Sequence, residues 1–81
     1  MSIYEEGQVV DREETTINEQ IGLLLAKTRE EQNITQMELS KKSRIDQGDI
    51  SKIEKGIGNP TIAKIQRLLK ALGKTISLTI V

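Results

Sequence analysis

The chain has no cysteine, histidine, tryptophan or phenylalanine. Without cysteine there is no disulfide and no thiolate metal site. Without histidine there is no imidazole general base and no Ser–His or Cys–His catalysis. One tyrosine is the only aromatic side chain, which argues against a stacking platform for single-stranded bases. No apolar run approaches the roughly 20 residues that a membrane span needs. The N-terminal MSIYEEG lacks the basic and apolar regions of a signal peptide. These absences predict a soluble cytoplasmic protein with no cofactor and no metal. An enzyme is not expected, because acidic pairs such as Glu30-Glu31 fall on a solvated helix face and no nucleophile–base pair can be assembled.

At 81 residues the chain is one small domain, for which oligomerisation would add stability. Its net charge of zero hides an asymmetry. Residues 1–16 carry a net −4 and residues 17–81 a net +4. A basic domain therefore wears an acidic tail. Basic domains suit polyanions, although small surface imbalances are also common. Residues 1–15 show no sustained periodicity and read as a flexible acidic tail.

Four helices are expected between residues 16 and 73. Thr16-x-x-Glu19 is a capping-box pattern. Ile17, Ile21, Leu24, Leu25 and Thr28 then share one face at helical spacing, to about Gln32. Thr35-x-x-Glu38 is a second capping box, opening a short helix through about Lys42, with Met37 and Leu39 apolar. Ser40 is small enough for a close helix contact. Ser43-Arg44-Ile45 connects it to a third helix capped by Asp46 and closed after Lys55 by Gly56. Gly58-Asn59-Pro60 is a turn. The fourth helix starts at Pro60-Thr61, buries Ile62, Ile65, Leu68, Leu69 and Leu72, and ends at Gly73.

Residues 74–81 change period. Ile76, Leu78 and Ile80 alternate with Thr75, Ser77 and Thr79, which predicts a half-buried strand. Nothing else in the chain reads as a strand to pair with it. Pairing with the same segment of a second copy, in a two-fold homodimer, satisfies its backbone; a frayed terminus is the alternative.

Two short helices joined by about three residues form a helix-turn-helix layout. The faces of the second helix give it a chemistry. At ~100° per residue from Gln47, Ser51 falls at roughly 40°, Lys55 at 80°, Gly48 at 100° and Lys52 at 140°, while Ile50 and Ile53 fall at roughly 300° and 240°. One face is buried. The other presents amide, hydroxyl and ammonium groups, which suit base edges and phosphates in a major groove. Gln47, Gly48, Ser51 and Lys52 are the candidates for base or groove contacts, with Gly48 allowing close approach. Asp49 is off the centre of this strip, in the first turn, where the helix dipole favours an anion.

Residues 20–73 resemble the Xre family of Cro/CI-type helix-turn-helix domains. The matching residues are Ile21-Gly22-x-x-Leu25-x-x-x-Arg29, Ile34-Thr35-Gln36-x-x-Leu39-Ser40, Ile45-x-Gln47-x-x-Ile50-Ser51-Lys52-Ile53-Glu54-Lys55-Gly56, Asn59-Pro60-Thr61 and Ala71-Leu72-Gly73. The resemblance implies a mainly α, lambda-repressor-like four-helix bundle that binds double-stranded operator DNA. It implies base or groove contacts by Gln47, Ser51 and Lys52, and phosphate contacts by Gln36 and Lys55. It also pairs Arg29 with Glu54, and the periodicity places both on inner flanks. Three positions depart from the family. Arg44 stands where glycine is preferred in the turn, which predicts either a different turn or a phosphate contact by Arg44. Serine stands at 40 and 43, where the family favours alanine and an apolar residue.

Many members add a fifth helix where this chain has Lys74 and the strand. That ending resembles the HigA-like and HipB-like antitoxin branch, which implies an operator-binding repressor with a toxin partner. The alternatives are a stand-alone repressor and, in another class, a module that binds protein only. The acidic tail suits either a basic partner or mere solubility.

Overall fold

The computed structural model describes residues 16–77. The acidic tail 1–15, and Leu78 and Ile80 of the expected strand, lie outside the described residues. Four helices follow in order: α1 Ile17–Glu31, α2 Gln36–Ser43, α3 Gln47–Glu54 and α4 Ile62–Ala71. The described fold is mainly α, with no strand among the described residues.

The helix starts are set by side chains. Thr16 Oγ1 accepts from the Glu19 N–H at 3.1 Å, and Glu19 returns an acceptor to the Thr16 N–H at 2.8 Å. Thr35 and Glu38 repeat the arrangement at α2, at 3.0 and 2.8 Å. Each box satisfies two backbone donors that a helix start otherwise leaves unpaired. Asp46 caps α3 through the Gly48 N–H at 2.9 Å, and Thr61 caps α4 through the Lys64 N–H at 3.1 Å.

Three of the four helix ends share one form. After α1, α3 and α4 the chain turns left-handed at Asn33 (φ 57), Gly56 (φ 75) and Gly73 (φ 73). The N–H of the next residue then reaches back to the helix: Ile34 to Arg29 O, Ile57 to Lys52 O, Lys74 to Leu69 O. This Schellman arrangement satisfies the last carbonyls.

Leu25, Leu39, Ile45, Ile50, Ile53, Ile65, Leu68, Leu69 and Leu72 form the core. Helix α3 packs on α1 and α2, and α2 also packs on α4. At the α1–α3 crossing Gly22 meets the backbone of Ile53 and Glu54 so closely that an added Cβ would lie 2.8 Å from the Glu54 carbonyl oxygen and overlap that of Ile53. The glycine sets how near the two helices come.

The apolar faces are wider than the core. Ile17 is 73% exposed, Ile62 56% and Leu24 49%, although all three share the helical faces that the spacing assigned to the interior. Met37 is exposed as well. The reason is coverage: α1 and α4 each present more apolar surface than the other helices of one chain can reach. Ile17, Ile21, Ile62, Ile65, Gln66 and Ile76 line an open apolar groove of about 410 Å³ on this side. Residues 74–77 run without helix or ladder, and Ile76 packs against the core beside the groove.

Candidate nucleic-acid interface

Helix α3 owes its orientation to two residues. Ile50 is fully buried and Ile53 nearly so, which fixes the opposite face outward. On that face Gln47, Gly48, Lys52 and Lys55 are exposed and Ser51 is half-buried. An amide, a hydroxyl and two ammonium groups thus line one side of a short helix. Such groups can pair with base edges and with phosphate oxygens. Gly48 keeps the first turn bare; a Cβ there would approach the Asp46 cap at 2.8 Å.

Asp49 is turned aside. Its carboxylate takes the Lys64 ammonium of α4 at 3.3 Å, so its negative charge is answered within the fold, next to Lys52. Both side chains remain partly exposed, and a pair of this kind contributes little to stability.

The other end of α3 is held by a buried ion pair. Arg29 Nε donates to Glu54 Oε2 at 2.7 Å and Nη2 to Oε1 at 3.0 Å, while Nη1 donates to the Ile34 carbonyl at 2.8 Å. The side chains are 12% and 7% exposed. The hydrogen bond and charge of Glu54 push the Arg29 pKa above its ordinary value, against the opposing effect of burial. Gln36 joins them, its Nε2 donating to Glu54 Oε1 at 2.9 Å. One carboxylate therefore ties α1, α2 and α3 together.

That bond was not legible in the sequence, where Gln36 stood only as a phosphate contact implied by resemblance. The structure commits one amide N–H of Gln36 to Glu54. It leaves Gln36 at the first position of α2, where the backbone N–H has no helical partner.

Arg44 adopts φ 61, ψ 31. The left-handed turn that glycine would favour is thus kept with arginine in it. Ser40 and Ser43 hydrogen-bond to the same turn. Two further ties were not anticipated. Asn18 Nδ2 reaches Gly58 O at 3.0 Å and Asn59 Oδ1 at 3.2 Å, and Gln32 Nε2 caps the Leu72 carbonyl at 2.8 Å. Neither carries a spacing signal, because each joins residues about 40 apart.

Among the described residues no group of three or more acidic side chains comes together to hold a metal ion, and no helix is long and apolar enough to cross a membrane.

Two short helices, α2 and α3, joined by a three-residue turn, with a polar outer face on the second, form a helix-turn-helix. A family model described as Helix-turn-helix matches residues 25–78. The chain belongs to this family, in its Xre type. Among solved structures it is similar to the clp gene regulator ClgR from Corynebacterium glutamicum, with 27% identity and a TM-score of 0.73. That likeness covers 76% of this chain and 66% of ClgR. It is also similar to the restriction-modification controller protein C.Esp1396I, solved as a tetramer in complex with its natural 35 base-pair operator. There the identity is 31% and the TM-score 0.71, over 76% of this chain and 82% of the controller. No curated protein sequence matches the chain.

Proposed function

We infer that the protein is an operator-binding transcriptional repressor that acts as a homodimer. The observation that carries this reading is the outer face of α3, where Gln47, Ser51, Lys52 and Lys55 stand opposite the buried Ile50 and Ile53. Gln47 suits adenine, Lys52 suits guanine or a phosphate, and Ser51 suits either partner. Gly48 lets the helix lie close to the groove floor. Lys55, Arg44 and the start of α2 at Gln36 serve the phosphates on either side. Repression needs no further machinery, since occupying a promoter excludes other proteins from it. C.Esp1396I, which binds an operator, supports the reading by its likeness.

The apolar groove between α1, α4 and Ile76 supports a dimer. Ile17 and Ile62 are large, exposed and adjacent, a combination that marks interaction surfaces. A two-fold arrangement through this face and the 74–81 segments would set two recognition helices roughly 34 Å apart, one helical turn of DNA.

A toxin partner is a second reading. The Leu-Leu-Lys-Ala-Leu-Gly-Lys ending with its alternating apolar residues supports it, as does the −4 charge of residues 1–16, which suits a basic partner. A neighbouring gene for a small basic nuclease-like or kinase-like protein would favour it.

Selection of duplexes from a random pool by the purified chain tests the main reading. Enrichment of an inverted repeat with half-sites one helical turn apart is the expected result. A pool that stays random would remove the operator-binding function.

A further inference from the structure

The turn between α2 and α3 holds a residue that its backbone disfavours. Arg44 sits in the left-handed region, where a Cβ meets the following carbonyl. The next residue, Ile45, is buried, so its backbone N–H and C=O need partners within the protein. Serine hydroxyls supply both. Ser40 Oγ donates to the Ile45 carbonyl at 2.6 Å. The Ile45 N–H donates to Ser43 Oγ at 3.2 Å, and the Ser43 hydroxyl itself donates to the Leu39 carbonyl at 2.7 Å.

Residues 40, 43 and 44 therefore act as one unit. Alanine at 40 and an apolar side chain at 43 could make none of these bonds. With both serines in place, Ile45 is held at its two ends and the turn keeps its left-handed form without glycine. The result is an added cation. Arg44 is exposed, and among the described residues its guanidinium has no hydrogen-bond or ion-pair partner. Lys41 and Lys42 already answer the negative end of α2, so Arg44 is not needed there. It stands three residues before Gln47, the first residue of α3.

We propose that Ser40 and Ser43 are positioning residues that hold the turn around Arg44 so that its guanidinium meets a backbone phosphodiester of the bound duplex. This rests on the DNA-binding reading above. A guanidinium pairs with a phosphate through two parallel bonds. One such contact adds about 0.9 to the slope of log affinity against log salt.

The test measures that slope on a duplex selected by the wild-type chain, for four proteins: wild type, Arg44→Gly, Ser40→Ala/Ser43→Ala, and all three substitutions together. Arg44→Gly should bind more weakly at low salt and lose about one unit of slope. The serine pair should lose the same unit while Arg44 is present, and nothing further once it is glycine. Circular dichroism melts would run beside the binding, and Ser40→Ala alone replaces the pair if the double variant does not fold. A role in stability alone would lower the melting temperature and leave the slope at its wild-type value, which would overturn the positioning role. An unchanged slope in Arg44→Gly would overturn the phosphate contact. Failure of the wild type to select any duplex would instead remove the DNA-binding reading, and this inference with it.

Discussion

Arg29 grips Glu54 through two nearly parallel bonds of 2.7 and 3.0 Å across the α1–α3 crossing. The pair is almost out of water; a further guanidinium N–H goes to the Ile34 carbonyl, and Glu54 Oε1 also accepts from Gln36. Taking two charges into a domain this small is costly. Its return is direction: the pair fixes where α3 sits relative to the helices on both sides.

Glu54→Ala should therefore cost about 3 kcal/mol or more, because it strands the Arg29 guanidinium in the interior. A domain whose total stability is on the order of 5 kcal/mol would keep less than half of it. Urea denaturation reads the change directly. Replacing both partners with apolar residues of similar size should cost much less than either single change, and a double loss as large as the sum of the singles would contradict this account.

Gly22→Ala should destabilise by roughly 1–3 kcal/mol, as overpacking does. The new methyl meets the Ile53 and Glu54 carbonyls, which are rigid backbone. The helices must part, so α3 moves. Duplex affinity should fall even where the variant is fully folded, as measured at low temperature. Gly22→Ala with wild-type melting would mean that the crossing is looser than described.

Arg44→Gly should raise stability by roughly 0.5–1 kcal/mol. Relief of the left-handed conformation is worth about 1–2 kcal/mol, and the greater freedom of glycine in the unfolded chain takes back about half of that. A thermal melt checks it. A more stable protein that binds DNA less well would show what the arginine is retained for.

The start of α2 should be sensitive to acid. The Glu38 carboxylate accepts from the Thr35 backbone N–H, and that bond holds its pKa below the ordinary value of 4.5. A depressed carboxylate contributes stability that is fully present above the unfolded value and is lost as pH falls through the folded one. The contribution of the box should thus be intact at neutral pH and fade below about pH 4.5. NMR titration of the Glu38 side chain would show the lowered midpoint. Glu38→Gln should flatten this part of the stability profile, and an unshifted midpoint would argue against the box in solution.

Much of the fold was legible because its signals are local. The pairs Thr16/Glu19 and Thr35/Glu38 are three residues apart, and Gly56 and Gly73 stand where helices stop, so caps and ends can be read along the chain. Helix α2 runs one residue beyond its expected end, to Ser43, whose hydroxyl bonds back to Leu39. Burial was less legible. Spacing identifies the apolar side of α1 and α4, but not how much of it a neighbour covers, and so it places Ile17, Leu24 and Ile62 in a core that does not reach them. On the candidate interface, the buried and exposed faces of α3 follow from periodicity. The Gln36–Glu54 bond, the Asp49–Lys64 pair and the two serine bonds to Ile45 do not. Each depends on how separate elements meet, or on a turn geometry that Arg44 by itself argues against.

The most direct measurement is the affinity of the purified chain for a duplex of its own promoter at two salt concentrations, beside Gln47→Ala/Lys52→Ala. Both side chains are exposed on α3, so the double variant should fold as the wild type does. The account predicts tight, salt-sensitive binding by the wild type and its loss in the variant. Equal binding by the two proteins would contradict the assignment of α3 as the reading helix, and no binding by either at low salt would contradict the repressor itself.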